Sequence, residues 1–232
     1  MNTLGIIPAR GGSTRLPRKN LRQLAGKSLV EWVIQAAMAA KRLSRIVVSS
    51  DDDEVLQIAA GYDHRLPLRR PRELSHALAP AIDYVRHALE ALESAGEGPF
   101  DSIAIMQPSS PLTKAADIDG TLELLDRSGA DSAVSVKQLD HAIHPFKLKI
   151  MEGDRLRPYL EEERGRMSAH ELPVLFTRNC AVYTARRATV NAGQIIGDDC
   201  RGYLMPSERS IDINEDTDLQ FAEFLLSRTG SP

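Results

Sequence analysis

The sequence predicts an α/β fold with a mostly parallel central sheet, helices on both faces and one inserted arm. Short apolar runs alternate with helical-period segments through the first 140 residues, the pattern left by successive βα units. Within Ser102–Gln107 (SIAIMQ), Ile103–Met106 is continuously apolar, as in a strand buried on both faces. The composition agrees: 232 residues, 42% hydrophobic and 26% charged, suit one domain carrying an elaboration better than two full domains.

Each element has its own reason. Leu4–Pro8 reads as the first strand, and Ser28–Ala40 as the first helix, with Leu29, Val33, Ala36, Ala37 and Ala40 on one face. Arg45–Ser49 is the second strand, and the acidic cluster Asp51–Glu54 suits the N-terminus of the helix that follows. A third helix begins near Pro80 and turns Ile82, Val85, Leu89 and Leu92 inward. After the strand Ser102–Gln107, Pro108 and Pro111 stiffen a turn. A helix over Ala115–Arg127 and a strand over Asp131–Val136 follow. From His141 to Pro173 the pattern becomes charged and turn-rich, which marks the arm. It reads equally as a hairpin packed on a second subunit or as a solvated lid. Ala181–Thr184 returns to the sheet, and Asp216–Ser227 is the closing helix.

The charge balance, 29 basic against 32 acidic residues, gives a net −3 and argues against a partner such as nucleic acid. Cys180 and Cys200 lack metal-ligand and redox spacing and are read as reduced thiols. No run approaches 18 apolar residues and the N-terminus lacks the form of a signal peptide, so a cytoplasmic protein with no membrane partner is expected.

Chemistry concentrates in the loop after the first strand. Ala9–Asn20 (ARGGSTRLPRKN) carries Arg10, Arg15, Arg18 and Lys19 with Gly11 and Gly12. Glycines admit backbone N–H groups close to phosphate oxygens, and Arg and Lys add charge-assisted hydrogen bonds. Ligands of open α/β sheets bind at the carboxyl ends of strands, where this loop lies. The loop matches neither GxxxxGK[ST] nor GxGxxG, which turns the reading away from Walker-type ATPases and dinucleotide enzymes. Near the C-terminus, Asp212-Ile213-Asn214 sets two oxygen-bearing side chains on one face if the segment is extended, so both can face one Mg²⁺; the other reading is that Asp212 caps or turns the chain into the last helix, whose first turn suits Asp218.

These residues carry a resemblance. IIPARGGSTRLPRKN with Leu24–Leu29 resembles the first motif of the cytidylyltransferases that activate sialic acid and related nonulosonic acids. Arg69–Leu74 resembles their RPxEL segment, Met106–Leu112 their LQPTSPLR, Asn179–Tyr183 their NGAIY, and Ser210–Asn214 with Asp218-Leu219 their SIDIDxxxDL. The STRLP variant is similar to the cytidylyltransferase for KDO. The resemblance covers nearly the whole chain.

It implies a Rossmann-like nucleotide-diphosphosugar transferase fold, a homodimer, and a reaction in which CTP and a small acidic acceptor give a CMP conjugate and pyrophosphate with Mg²⁺. An attack on the α-phosphorus needs positioning, a divalent metal and cations on the leaving group, and no protein nucleophile. By resemblance Arg10, Ser13 and Lys19 hold the triphosphate beside Gly11 and Gly12, and Asn20 and Arg70 hold the cytidine. Arg10, Arg15 and Lys19 form the catalytic set, with Arg15 supplying charge that Thr14 lacks where sialic-acid members carry Lys. Gln107 reaches the acceptor or the base, and Lys147, Asn179 and Tyr183 the acceptor. Asp212 and Asn214 are the metal pair, with Asn214 where the family usually has Asp.

The departures gather around the acceptor. Ala169, in Met167–Pro173, stands where sialic-acid members carry an arginine, which removes a carboxylate clamp. Ser75–Pro80 lacks the usual Asp and Ser/Thr, and His76 and His170 are candidate replacements. A nonulosonic or KDO-like acid is the default acceptor and a phosphonate the alternative. A non-catalytic nucleotide-binding protein, and a different base specificity, stay open at this point.

Overall fold

The computed structural model describes residues 1–13, 15–160 and 172–229. In chain order the elements that build the sheet side of the site are β1 (Thr3–Pro8), the small hairpin β2 (Gln23–Leu24) and β3 (Lys27–Ser28), α1 (Leu29–Ala39), β4 (Arg45–Ser50), α2 (Asp53–Tyr62), β5 (Pro67–Arg69), α3 (Ala81–Ser94) and β6 (Ser102–Met106). Then come α4 (Ala115–Ser128), β7 (Ser132–Gln138), the arm strands β8 (Lys149–Glu152) and β9 (Arg155–Pro158), β10 (Phe176–Arg186), α5 (Arg187–Asn191), β11 (Cys200–Leu204) and α6 (Asp216–Thr229).

The main sheet has 7 strands in the order β11-β7-β10-β6-β1-β4-β5. Every pairing is parallel except those of β10, which runs antiparallel to both β6 and β7. The period of two sorts the strand residues between two cores. Ile7, Val48, Ala104 and Met106 face α1, α2 and α4, while Leu4, Ile6, Val47, Ile103 and Ile105 face α3 and α5. Central strands buried on both faces explain why the apolar runs are continuous.

Local signals set the helix starts. Ser28 and Glu31 form a capping box at α1, and Asp52 caps α2 by accepting from the N–H groups of Glu54 and Val55. The expected elements therefore appear with boundaries shifted by a residue or two. Two strands of the main sheet, and the small β2–β3 hairpin, carry no periodic signal in the sequence. β5 and β11 are short edge strands of mixed composition, and their pairing comes from the neighbouring strand rather than from their own pattern. β10 also begins earlier than Ala181: a bulge between Arg178 and Tyr183, with Cys180 at φ 63°, breaks the alternation that a sequence reading follows.

A third, smaller cluster positions the site. Leu16 of the basic loop, Leu24, Leu29, Ile213 and Leu219 are buried together, with Trp32 and Ile211 packed against them. It fastens the loop after β1 to the segment before α6. The arm opens with two short 3₁₀ turns, His141–Ile143 and Pro145–Lys147, and continues as the β8–β9 hairpin, a two-stranded sheet apart from the main one among the described residues. Thr14, Ala169 and His170 lie outside the described residues.

Candidate active site

The loop after β1 is held at several points. Asp51 accepts the Gly11 N–H at 2.9 Å, and Ser50 Oγ donates to the Ala9 carbonyl at 2.6 Å. A Cβ on Gly11 would lie 3.0 Å from Asp52 Oδ2 and 3.2 Å from Asp52 Cβ, so glycine lets the loop rest against the capped start of α2. The Gly11 amide is therefore used within the protein, and Gly12 is exposed with open space around it. Farther along, the buried Asn20 donates from Nδ2 to the Arg10 carbonyl at 2.8 Å. Asn20 thus braces the loop that carries Arg10.

The loop's four cations divide by environment. Arg18 pairs with Glu54 at the surface. Arg10, Arg15 and Lys19 instead line a cavity of about 230 Å³ together with Ser13, Asn20, Gln107, Pro108, Ser109 and Asn214. Among the described residues no carboxylate forms an ion pair with Arg10 or Arg15. Lys19 reaches across the cavity floor, donating from Nζ to the Ile213 carbonyl at 2.8 Å. Burial holds its pKa below the usual lysine value, with Asp212 opposing the shift and Arg15 adding to it.

A second cavity of about 240 Å³ shares Pro8, Arg10 and Gln107 with the first, and is otherwise walled by Arg70, Leu74, His76, Ala77, Ala79, Ala81 and Tyr84. Gln107, the residue after β6, stands at the junction. Arg70 is 3% exposed, which is unusual for a charged group that has no carboxylate partner among the described residues. It donates from Nε to Ser49 Oγ at 3.0 Å and from Nη2 to the Ser49 carbonyl at 2.8 Å, and lies over the Tyr84 ring at 4.5 Å. Burial lowers its pKa and lifts the Tyr84 phenol to about 12. Charge held out of water at the rim of a cavity favours an anionic or electron-rich ligand.

The acceptor residues named from sequence do not converge in the same way. Asn179 is 3% exposed and spends its carboxamide internally, accepting from Ser135 Oγ at 2.6 Å and donating to Ser210 Oγ at 2.8 Å and to Met205 Sδ at 3.2 Å. It accordingly braces the end of the sheet to the Ser210 segment. Tyr183 is half-buried, and its phenol is pushed up by burial and by a hydrogen bond with Cys180. Lys147 sits on the arm, 2.6 Å from His141 Nε2, and lines neither cavity.

Asp212 and Asn214 share one side of their segment, and Asn214 lines the first cavity, while Ile211 and Ile213 turn into the third cluster, as the period of two requires. Asn214 donates from Nδ2 to Asp212 Oδ2 at 2.9 Å, and Asp218 accepts the Asn214 N–H at 2.8 Å at the start of α6. Among the described residues no three His, Cys, Asp or Glu side chains group as a metal cage. Asp212, hydrogen-bonded to the cavity-lining Asn214, is the carboxylate that would hold a divalent cation beside the cavity's cations.

Sequence reading missed Ser49, Tyr84, Asp51 and Arg209. Ser49 and Asp51 lie at the carboxyl end of β4, next to the basic loop's strand, and that adjacency was the signal available.

Comparison with known proteins agrees with this geometry. The model of a family described as Cytidylyltransferase matches residues 4–192. The chain is 30% identical over 233 residues to N-acylneuraminate cytidylyltransferase A of Danio rerio, covering 97% of this chain and 51% of that protein, so it spans about half the length of this relative. Pseudaminic acid cytidylyltransferase of Campylobacter jejuni is 26% identical over 227 residues, 97% of this chain and 96% of that one. In fold, the chain superposes on CMP:2-keto-3-deoxy-manno-octonic acid synthetase, solved in complex with CTP, with a TM-score of 0.71 at 16% identity, covering 99% of this chain and 100% of that one. A basic loop at the end of β1, a cavity lined by Arg10, Arg15 and Lys19, and a family match running through most of the sheet lead to one conclusion: this chain belongs to the cytidylyltransferase family.

Proposed function

We propose that the protein transfers CMP from CTP to a small sugar acid of the nonulosonic or KDO type and releases pyrophosphate. The observation that carries this reading is the pair of joined cavities, one lined by Arg10 and Arg15, which have no carboxylate partner among the described residues, the other walled by the buried Arg70. Together they suit a triphosphate beside a nucleoside.

In this reading Arg10, Ser13, Arg15 and Lys19 bind the triphosphate, and their charge offsets the charge that builds on the departing pyrophosphate. Arg70 and Tyr84 form the wall beside the cytidine, and Gln107 lies between nucleotide and acceptor. The acceptor's hydroxyl oxygen forms the new bond to the α-phosphorus as the bond to the bridging oxygen breaks. Rate comes from alignment, not from a protein nucleophile. Asp212 would hold a divalent cation, which would supply Lewis-acid stabilisation. Tyr183 and Lys147 are the acceptor-side groups in this reading. The arm's exposed Met151 and Leu156 support packing against a second copy, hence a homodimer. Among the described residues no helix is long and apolar enough to cross a membrane, and we read a cytoplasmic enzyme with CTP, not nucleic acid, as its partner.

The test is pyrophosphate release with Mg²⁺ and each of the four NTPs, against sialic, legionaminic and pseudaminic acids, KDO and small phosphonates. Release with CTP and a sugar acid is the expected result. Release only with a phosphonate overturns the acceptor class, and equal use of UTP or ATP overturns the base. Asp212→Ala is expected to lower turnover at least about a hundredfold with the melting temperature unchanged.

A further inference from the structure

Asn214 is used at both ends. Its Nδ2 donates to Asp212 Oδ2 at 2.9 Å, and its Oδ1 faces Lys19 Nζ at 3.4 Å. This orientation is dictated by the neighbours: a carboxylate only accepts and an ammonium only donates, so the flipped amide would set oxygen against oxygen and nitrogen against nitrogen. The carboxamide oxygen is therefore turned to a cation the protein already owns. Asp218 accepts the Asn214 backbone N–H at 2.8 Å and Ser109 accepts the Ile213 N–H at 2.7 Å, which fixes the segment on which the amide sits.

The electrostatic consequence follows from the residue type. An aspartate here would place a second carboxylate beside Asp212, giving a divalent cation two anionic ligands from the protein alone. Asparagine leaves one, and among the described residues no cluster of three His, Cys, Asp or Glu makes up the loss. Mg²⁺ surrenders its water reluctantly and is usually held by one or two carboxylates plus substrate phosphates. Asp212 faces the Lys19 ammonium, and Asp218, the other carboxylate near it, gives Oδ2 to the Asn214 and Glu215 N–H groups, so free protein has little to offer the cation.

We propose that Asn214 is a neutral positioning residue which aligns Asp212 with Lys19 and leaves the protein without a cation site of its own, so that the divalent cation enters on the nucleotide. The proposal rests on the CMP-transfer reading above.

The experiment is a Mn²⁺ titration of the full chain followed by electron paramagnetic resonance, with and without CTP, on wild type, Asn214→Asp and Asn214→Ala, each checked for an unchanged melting temperature. Wild type is expected to retain Mn²⁺ only when CTP is present. Asn214→Asp is expected to bind Mn²⁺ without nucleotide at least about tenfold more tightly than wild type, since ligand charge sets cation affinity. Asn214→Ala, which removes the amide and adds no charge, is expected to show no such gain, and it keeps the test decisive if the aspartate variant misfolds. Wild-type binding as tight without CTP as with it, a gain in Asn214→Ala, or no gain in a folded Asn214→Asp would each overturn the proposal. If wild type binds no CTP at all, with or without Mn²⁺, the nucleotide reading itself fails. That outcome is distinct, because every failure specific to Asn214 leaves CTP binding intact.

Discussion

Arg209 grips the fully buried carboxylate of Asp117 with two hydrogen bonds, from Nη2 at 2.6 Å and from Nε at 3.2 Å. Asp117 also accepts the Lys114 N–H at 2.9 Å in the first turn of α4. The pair ties the turn just before Ser210–Asn214 to the helix that follows the Gln107 turn, so one ion pair spans two walls of the site. Removing a single partner leaves an uncompensated buried charge. Arg209→Met is expected to cost roughly 3 kcal/mol, the lower end of the range for a broken buried pair because Arg209 keeps some contact with water. Arg209→Lys keeps the charge but loses the fork and should fall between the two. Urea unfolding of the three proteins measures it; equal midpoints would mean that the pair contributes nothing.

The division of the basic loop predicts unequal effects of like substitutions. Arg10→Ala and Arg15→Ala remove cavity-lining cations and should weaken CTP binding by about 1.5–3 kcal/mol each, the usual worth of a hydrogen bond to a charged group. Arg18→Ala only breaks a surface pair with Glu54 and should leave CTP affinity unchanged and stability within about 1 kcal/mol. Isothermal titration with CTP separates them. An Arg18 effect equal to that of Arg10 would contradict the assignment.

Gly120 sits inside α4 where alanine would normally favour the helix. Here a Cβ would lie 2.4 Å from the Tyr203 ring, so the packing of α4 on β11 requires its absence. Gly120→Ala is expected to destabilise by about 1–3 kcal/mol despite the better propensity, and Gly120→Ala with Tyr203→Leu to recover part of the loss. A stabilised single variant would show that the ring yields freely.

The Glu93–Arg187 pair links α3 to α5 and predicts an acid-side dependence. Hydrogen bonds from Arg187 hold the Glu93 carboxyl below the usual glutamate value, with a smaller share from the Phe100 N–H, against the opposing effect of burial. A folded-state pKa below the unfolded one gives stability that is complete above the ordinary glutamate range and is lost as pH falls through the lowered value. Thermal midpoints of wild type should therefore drop more steeply below about pH 4.5 than those of Glu93→Gln, the region where glutamate begins to bind protons. Parallel curves would remove Glu93 from the list of acid-sensitive groups.

Much of the fold and part of the site was legible in the chain itself. Strand and helix periodicity marked β1, β4, β6, α1, α3 and α4, because residues buried on both faces or along one stripe must be apolar at fixed spacing. The basic loop announced itself by composition. Asn179 shows the limit: its place in a motif suggested the acceptor, while the structure gives its amide to Ser135, Ser210 and Met205. Arg18 and Arg15 read alike in sequence, and only the position of Glu54 separates them.

By itself the sequence determined the class of fold, the order of its elements and the residues able to bind a polyanion, since these depend on periodicity and charge carried along the chain. Tertiary structure decided which cations stay free, that β10 runs against its neighbours, and that Asn214 is turned between Asp212 and Lys19. Those outcomes depend on groups almost 200 residues apart in sequence, such as Lys19 and Asn214, separated by 195, and no local pattern encodes who will be adjacent to whom.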